Sequence, residues 1–122
     1  MAHGDITHLE FPVSDLARAT AFYSTLFGWQ ISEMPGFEGY PMWRGPNGVA
    51  GGALTAREGD FTQPRSYVEV DSIDDTLAAA RAAGGTVLVE KTEITPTSWF
   101  AVIADQDGNV LGLYEGIVVV ED

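Results

Sequence analysis

The apolar positions at the start of the chain change period once, and that change predicts the first two elements. Thr7, Leu9, Phe11 and Val13 alternate with Ile6, His8 and Glu10, the period of two that gives a strand two unlike faces. From Leu16 onward, Ala19, Tyr23, Leu26 and Phe27 fall at helical spacing, which gives a helix one face to bury. Ser14 or Asp15 can cap its first N–H groups. Gly28 supplies the left-handed residue that commonly ends a helix. The helix covers one face of the sheet, so His8 and Glu10 point to the other. Gln30 to Met34 then reads as a strand, Pro35-Gly36 as a turn, and Tyr40 to Arg44 as a short aromatic strand. Gly45-Pro46-Asn47-Gly48 is a dense turn, and Val49 to Leu54 is a further strand containing Gly51 and Gly52. The order is β-α-β-β-β.

A polar stretch, residues 56–64, reads as a linker, and the pattern then starts again. Arg65, Tyr67 and Glu69 alternate with Ser66, Val68 and Val70. Asp71 or Ser72 can cap a helix whose stripe is Ile73, Leu77, Ala80 and Ala83, stopped by Gly84-Gly85. Thr86 to Glu90 is a strand, Lys91 to Ser98 a loop broken by Pro96, and Trp99 to Ala104 a strand. Asp105 to Gly108 is a turn and Asn109 to Tyr114 the closing strand, with a β-prone tail GIVVVED. VSDLARATAFY from Val13 lies on VDSIDDTLAAA from Val70 without gaps, an offset of 57 residues. GPNGVAGGAL from Gly45 lies on DQDGNVLGLY from Asp105 at an offset of 60. Two matches in the same order predict a duplicated βαβββ module: residues 5–55, then 65–116, in a single domain covering 1–122.

Composition narrows the chemistry. The 122 residues include no cysteine, which excludes disulfides and thiolate metal sites. No apolar run approaches the roughly 20 residues of a membrane span, so no membrane partner is expected. MAHGDITH has neither the basic nor the apolar region of a signal peptide, so a cytoplasmic location is expected. Eighteen acids against six bases give a net charge of −12, the opposite of a nucleic-acid footprint. Such acidity serves solubility, or it draws a cationic ligand towards an acidic groove. No nucleophile motif of Ser, His and Asp and no phosphate-binding glycine signature is present.

The paired modules, the histidine of the opening strand, and the phrases ARATAFYSTLFGW and ADQDGNVLGLYE resemble the vicinal oxygen chelate superfamily. That group comprises glyoxalase I, bleomycin-resistance proteins, extradiol dioxygenases and their relatives. The resemblance implies an α+β fold, two tandem βαβββ modules forming a cleft of curved mixed sheets. In the metal enzymes of the group, each module gives ligands from its first and last strands. Those positions fall on His8, Gly52, Arg65 and Gly112 in this chain. Glycine has no donor side chain and guanidinium no lone pair, so no metal, cofactor or catalytic residue is expected. A rebuilt site from His8, Glu10 and Glu69 is the alternative.

With helices on one face, strand alternation sends His8, Glu10, Leu54, Arg65, Tyr67, Glu69, Val110 and Tyr114 to the cleft. Gly52 and Gly112 would leave room there, or would permit close backbone approach. Arg65 would pair with Glu10 or Glu69. Tyr40 and Met42 fall on one strand face and Trp43 on the other; Trp43 and Trp99 are placed nearer the ligand. His8, Tyr67 and Tyr114 could equally be hydrogen-bonded structural residues. By resemblance, the chain is expected to be a homodimeric, metal-free binder of the bleomycin-resistance type, sequestering a small aromatic or cationic natural product. The competing expectation is a metal-dependent lyase or isomerase of the glyoxalase kind.

Overall fold

A computed structural model describes residues 3–48 and 50–116. The chain is α+β and divides into two compact units, residues 7–66 and residues 3–6 with 67–116. Each unit carries one helix and four strands in the order β-α-β-β-β, with β1 and β5 crossing the unit boundary by one and two residues. No helix among the described residues is long and apolar enough to cross a membrane.

In the first unit, β1 (Ile6–Val13) leads into α1 (Leu16–Phe27), followed by β2 (Gln30–Ser32), β3 (Met42–Arg44) and β4 (Gly51–Ala56). The strands lie in the order β2-β3-β4-β1. β1 runs parallel to β4, with Leu9 opposite Gly52, Glu10 opposite Ala53 and Phe11 opposite Leu54. β3 is antiparallel to β4 and sets Met42 opposite Ala53 and Trp43 opposite Gly52. Asp15 is the residue that caps α1, its carboxylate accepting from Arg18 N at 2.9 Å. Gly28 ends the helix at φ 69°, in the left-handed region that glycine enters without steric cost.

An aromatic cluster fills the space under α1. Phe11 contacts Tyr23, Trp29 and Trp43, and the two tryptophans stack with centroids 3.9 Å apart. Leu54, fully buried, is aligned with Phe11 on this side of the sheet. Leu26 and Phe27, expected in the buried stripe, are instead exposed, at 56% and 52%. Trp29 follows the helix and stacks on Tyr23 at 5.1 Å, so it takes the place that the last helical turn would have filled. β3 starts at Met42 rather than Tyr40 because Pro41 has no N–H to donate to a ladder. β4 extends to Ala56, two residues beyond the predicted end; Val49, its predicted start, lies outside the described residues.

In the second unit, β5 (Arg65–Glu69), α2 (Ile73–Ala82), β6 (Thr86–Thr95), β7 (Ser98–Ala104) and β8 (Val110–Gly116) give the order β5-β8-β7-β6. Val70, Ile73, Leu77, Ala101 and Leu113 form its core, with Val68 and Trp99 packed against it. Ser72 caps α2 through its hydroxyl, which accepts from Asp75 N. The predicted loop from Lys91 to Ser98 is mostly strand. β6 continues to Thr95, and Pro96-Thr97 alone turns the chain into β7, with Thr95 opposite Ser98. Pro96, the breaker on which the loop reading rested, stands just past the end of β6, and three register shifts interrupt the β6–β7 ladder before it. The predicted tail strand lies outside the described residues beyond Gly116.

Candidate functional site

Alternation along β1 does what the sequence implies: Phe11 joins the aromatic core under α1, and His8 and Glu10 leave the sheet on the other side. A turn held by Tyr40 N donating to Phe37 O, and a bond from Leu54 N to Pro41 O, bring Tyr40 over those two residues. The Tyr40 hydroxyl lies 2.8 Å from His8 Nε2 and donates to Glu10 Oε2. The His8 and Tyr40 rings are nearly parallel, at 9° and 6.3 Å between centroids. His8 Nε2 and Glu10 Oε2 are 3.9 Å apart, so the hydroxyl is the short link between them.

The proton inventory fixes the direction of this chain. A phenol has one proton, and the Glu10 carboxylate takes it. His8 must then donate through Nε2–H to the Tyr40 oxygen, which sets its tautomer. Burial holds the His8 imidazole below its ordinary range, with the Glu10 charge pulling the other way. A neutral imidazole, a phenol and a buried carboxylate thus form one line, His8 to Tyr40 to Glu10. Glu10 is 9% exposed, and a carboxylate so placed can receive a ligand cation or a donor group, or pass a proton. The sequence singled out all three residues. It carried no signal for their linkage, since Tyr40 stands 30 positions from Glu10.

Met42 joins this face, because Met42 and Glu10 are both aligned with Ala53. Four other expectations, for Leu54, Trp43, Gly52 and Arg65, are corrected. Leu54 is aligned with Phe11 and belongs to the core under α1, not to the His8 face. Trp43, 6% exposed, also lies on the α1 side, where its indole donates to Leu9 O at 3.1 Å. Gly52 leaves no room for a ligand: a Cβ there would stand 2.6 Å from the Leu9 carbonyl carbon, so the missing side chain permits the close approach of β1 and β4. Ala53 is the residue of β4 aligned with Glu10, and it too has no donor side chain. The consecutive glycines at 51 and 52 have no side chains to reveal this one-residue register. Arg65 was expected to neutralise Glu10 or Glu69; its guanidinium instead lies 4.6 Å over the Phe61 ring.

In the second unit, Tyr67 and Glu69 alternate with the core residues Val68 and Val70, and both are buried at 9% exposure. Tyr67 lies against Gly112, where an added Cβ would stand 2.7 Å from Tyr67 Cγ. The space expected at Gly112 is therefore filled by the tyrosine ring. Tyr114, two residues along β8, is aligned with Phe100. Trp99 is corrected in the same way as Trp43: it packs on the α2 core, beneath the Lys91 ammonium at 4.8 Å.

Residues 5–46 match the family model described as bleomycin resistance protein-like N-terminal. A glyoxylase-like domain-containing protein of Didymella fabae is 30% identical over 116 residues, covering 88% of this chain and 90% of that protein. The chain belongs to the vicinal oxygen chelate superfamily. The candidate glyoxylase CFP32 of Mycobacterium bovis is 27% identical over 114 residues, and the chain spans 44% of that protein's length. Methylmalonyl-CoA epimerase from Mycobacterium tuberculosis shares the fold at a TM-score of 0.69 and 20% identity, over 94% of this chain and 89% of that one. The donors present do not fit the divalent ion of the superfamily's metal enzymes. Among the described residues no three His, Asp or Glu side chains come together to hold a metal. His8 and Glu10 are bound to Tyr40, and Arg65, Gly112 and the pair Gly52-Ala53 offer no donor side chain.

Proposed function

We propose that this vicinal oxygen chelate protein captures a small aromatic or cationic natural product without a metal, in the manner of bleomycin-resistance proteins. The observation that carries this reading is the Tyr40 hydroxyl standing between His8 and Glu10. It ties His8 and Glu10 into one hydrogen-bonded surface that includes a buried carboxylate. That carboxylate attracts a cation, and the parallel His8 and Tyr40 rings offer a flat face for stacking. Calorimetric titration with bleomycin and with proflavine, a flat aromatic cation, tests the reading. Saturable binding of one probe is expected, weakened about tenfold or more in Glu10→Gln because a charge-assisted contact is lost. No saturable binding of either probe, or equal affinity in Glu10→Gln, would overturn it.

The glyoxylase-like descriptions of the relatives favour a second reading, in which the same three residues move a proton in an acid–base enzyme. Turnover of methylglyoxal with glutathione, followed by ultraviolet absorbance and abolished in Glu10→Gln, would put that reading first.

A further inference from the structure

We propose a second ligand site, on the first unit beside the opening turns of α1, for a small aromatic molecule bearing a single carboxylate. A groove of about 300 Å³ lies there, at the lower end of the roughly 300–1,000 Å³ typical of small-molecule pockets. Pro12, Val13, Phe22 and Tyr23 give it apolar walls, and Arg18 and Arg57 line it with guanidinium groups. Local structure builds each wall. Arg18 and Phe22 stand one turn apart on α1, and Arg57, just beyond β4, is fixed by its N–H donating to Val13 O at 2.9 Å. Tyr23 is held by its stack on Trp29, so this aromatic wall is rigid before any ligand arrives.

Charge points to the ligand class. The chain has six basic residues against eighteen acids, and two of the six line this one groove. Elsewhere basic side chains are committed: Arg81 to Glu90 at 2.7 Å, Lys91 to Asp74 at 3.5 Å, Arg65 to the Phe61 ring. Among the described residues neither Arg18 nor Arg57 makes an ion pair through its guanidinium. Arg18 gives one of its five N–H donors to Ser14 Oγ at 3.2 Å. Asp15, the acid of the groove, already accepts from the Arg18 backbone N–H. Two planar guanidinium groups with spare donors suit a carboxylate. Apolar walls on the same groove require that the carboxylate be attached to a flat hydrophobic body.

Titration of ¹⁵N-labelled protein with 1-naphthoate, read by heteronuclear NMR, tests the site. Saturating shifts are expected from Val13 to Tyr23 and at Arg57. The uncharged 1-naphthalenemethanol and inorganic phosphate should each bind about tenfold more weakly or worse, because each lacks one half of the recognition. The double variant Arg18→Ala, Arg57→Ala should lose naphthoate by a similar factor while keeping a dispersed spectrum, since both side chains are exposed. Leu26→Ser, which removes exposed apolar surface further along α1, should leave the affinity unchanged. Equal binding of 1-naphthalenemethanol, undiminished affinity in the double arginine variant, or shifts centred on Leu26 and Phe27 would each overturn the proposal.

Discussion

Two glycines at matching places in the two modules have opposite physical meanings, which substitution can separate. A Cβ at Gly52 would meet the backbone of Leu9, which is locked in a parallel ladder and cannot rotate away. A Cβ at Gly112 would meet the Tyr67 ring, which can turn about its side-chain bonds. Gly112→Ala should therefore cost about 1–3 kcal/mol, and Gly52→Ala more than about 3 kcal/mol. Urea denaturation of both variants checks the order, and the reverse order would refute this account of the register. A double-mutant cycle with Tyr67→Ala should show coupling to Gly112→Ala and none to Gly52→Ala. The His8 imidazole gives a second residue-level test. Its pKa in the folded chain is depressed by burial, so from about 6.5 down to that value the unfolded chain binds more protons. Stability is then fully present above about pH 6.5 and falls as the pH drops through that window. Melting temperature measured from pH 7.5 to 5 should decline, and less steeply in His8→Gln, whose amide can still donate to Tyr40. Asp105, whose carboxyl is held low by hydrogen bonds from Asn109, loses its contribution only below its ordinary value near 3.8 and does not blur the window.

At the level of elements, hydrophobic period and cap chemistry made the fold legible. The period change between Val13 and Leu16, the cap at Asp15 and the stop at Gly28 all stand where the sequence puts them. The faces of β1 and β5 were equally readable, because large apolar and polar side chains alternate there, whereas β7 is apolar on both faces and Trp99 was read towards the wrong one. Legibility failed where side chains were absent or where distant elements decide. Consecutive glycines hid the register of β4, so Leu54 was read on the wrong face. Alternation set Trp43 on the face away from Met42 correctly, but nothing local showed that the Trp43 face is the one under α1. Nothing local places Tyr40 between His8 and Glu10, or Arg57 beside Arg18. The cap of α2 is another long-range feature: Glu115, on β8, accepts from Ile73 N at 2.7 Å, while Ser72 serves Asp75 N. Asp74 and Asp75 already place negative charge on the first turn, so the hydrogen bond of Glu115 matters more than its charge. Glu115→Ala should cost about 1–2 kcal/mol, and Glu115→Gln, whose amide oxygen can accept the same bond, much less. Chemical denaturation of the pair checks this, and equal losses would show that charge is the operative part.

For the molecule as a whole, a net charge of −12 on 122 residues makes self-repulsion a standing cost of the compact state. Few basic groups offset it, and several of them are spent locally, as in the exposed pair of Arg81 with Glu90. Salt should screen this repulsion over about 10 Å at 0.1 M and about 3 Å at 1 M. The melting temperature should therefore rise as sodium chloride increases from about 0.02 to 0.5 M, where only a chain stabilised chiefly by surface ion pairs would show a fall. The same screening acts in the opposite direction on a ligand. Proflavine drawn to Glu10 by the acidic field should bind more weakly as salt rises, whereas 1-naphthoate, approaching two arginines through an acidic field, gains from screened repulsion what it loses in attraction. Its affinity should change less than that of the cation across the same salt series. Calorimetry of both probes against salt thus reads the electrostatics of two places on one chain. Parallel loss of both affinities would mean that local charge at each place, and not the net acidity, governs binding.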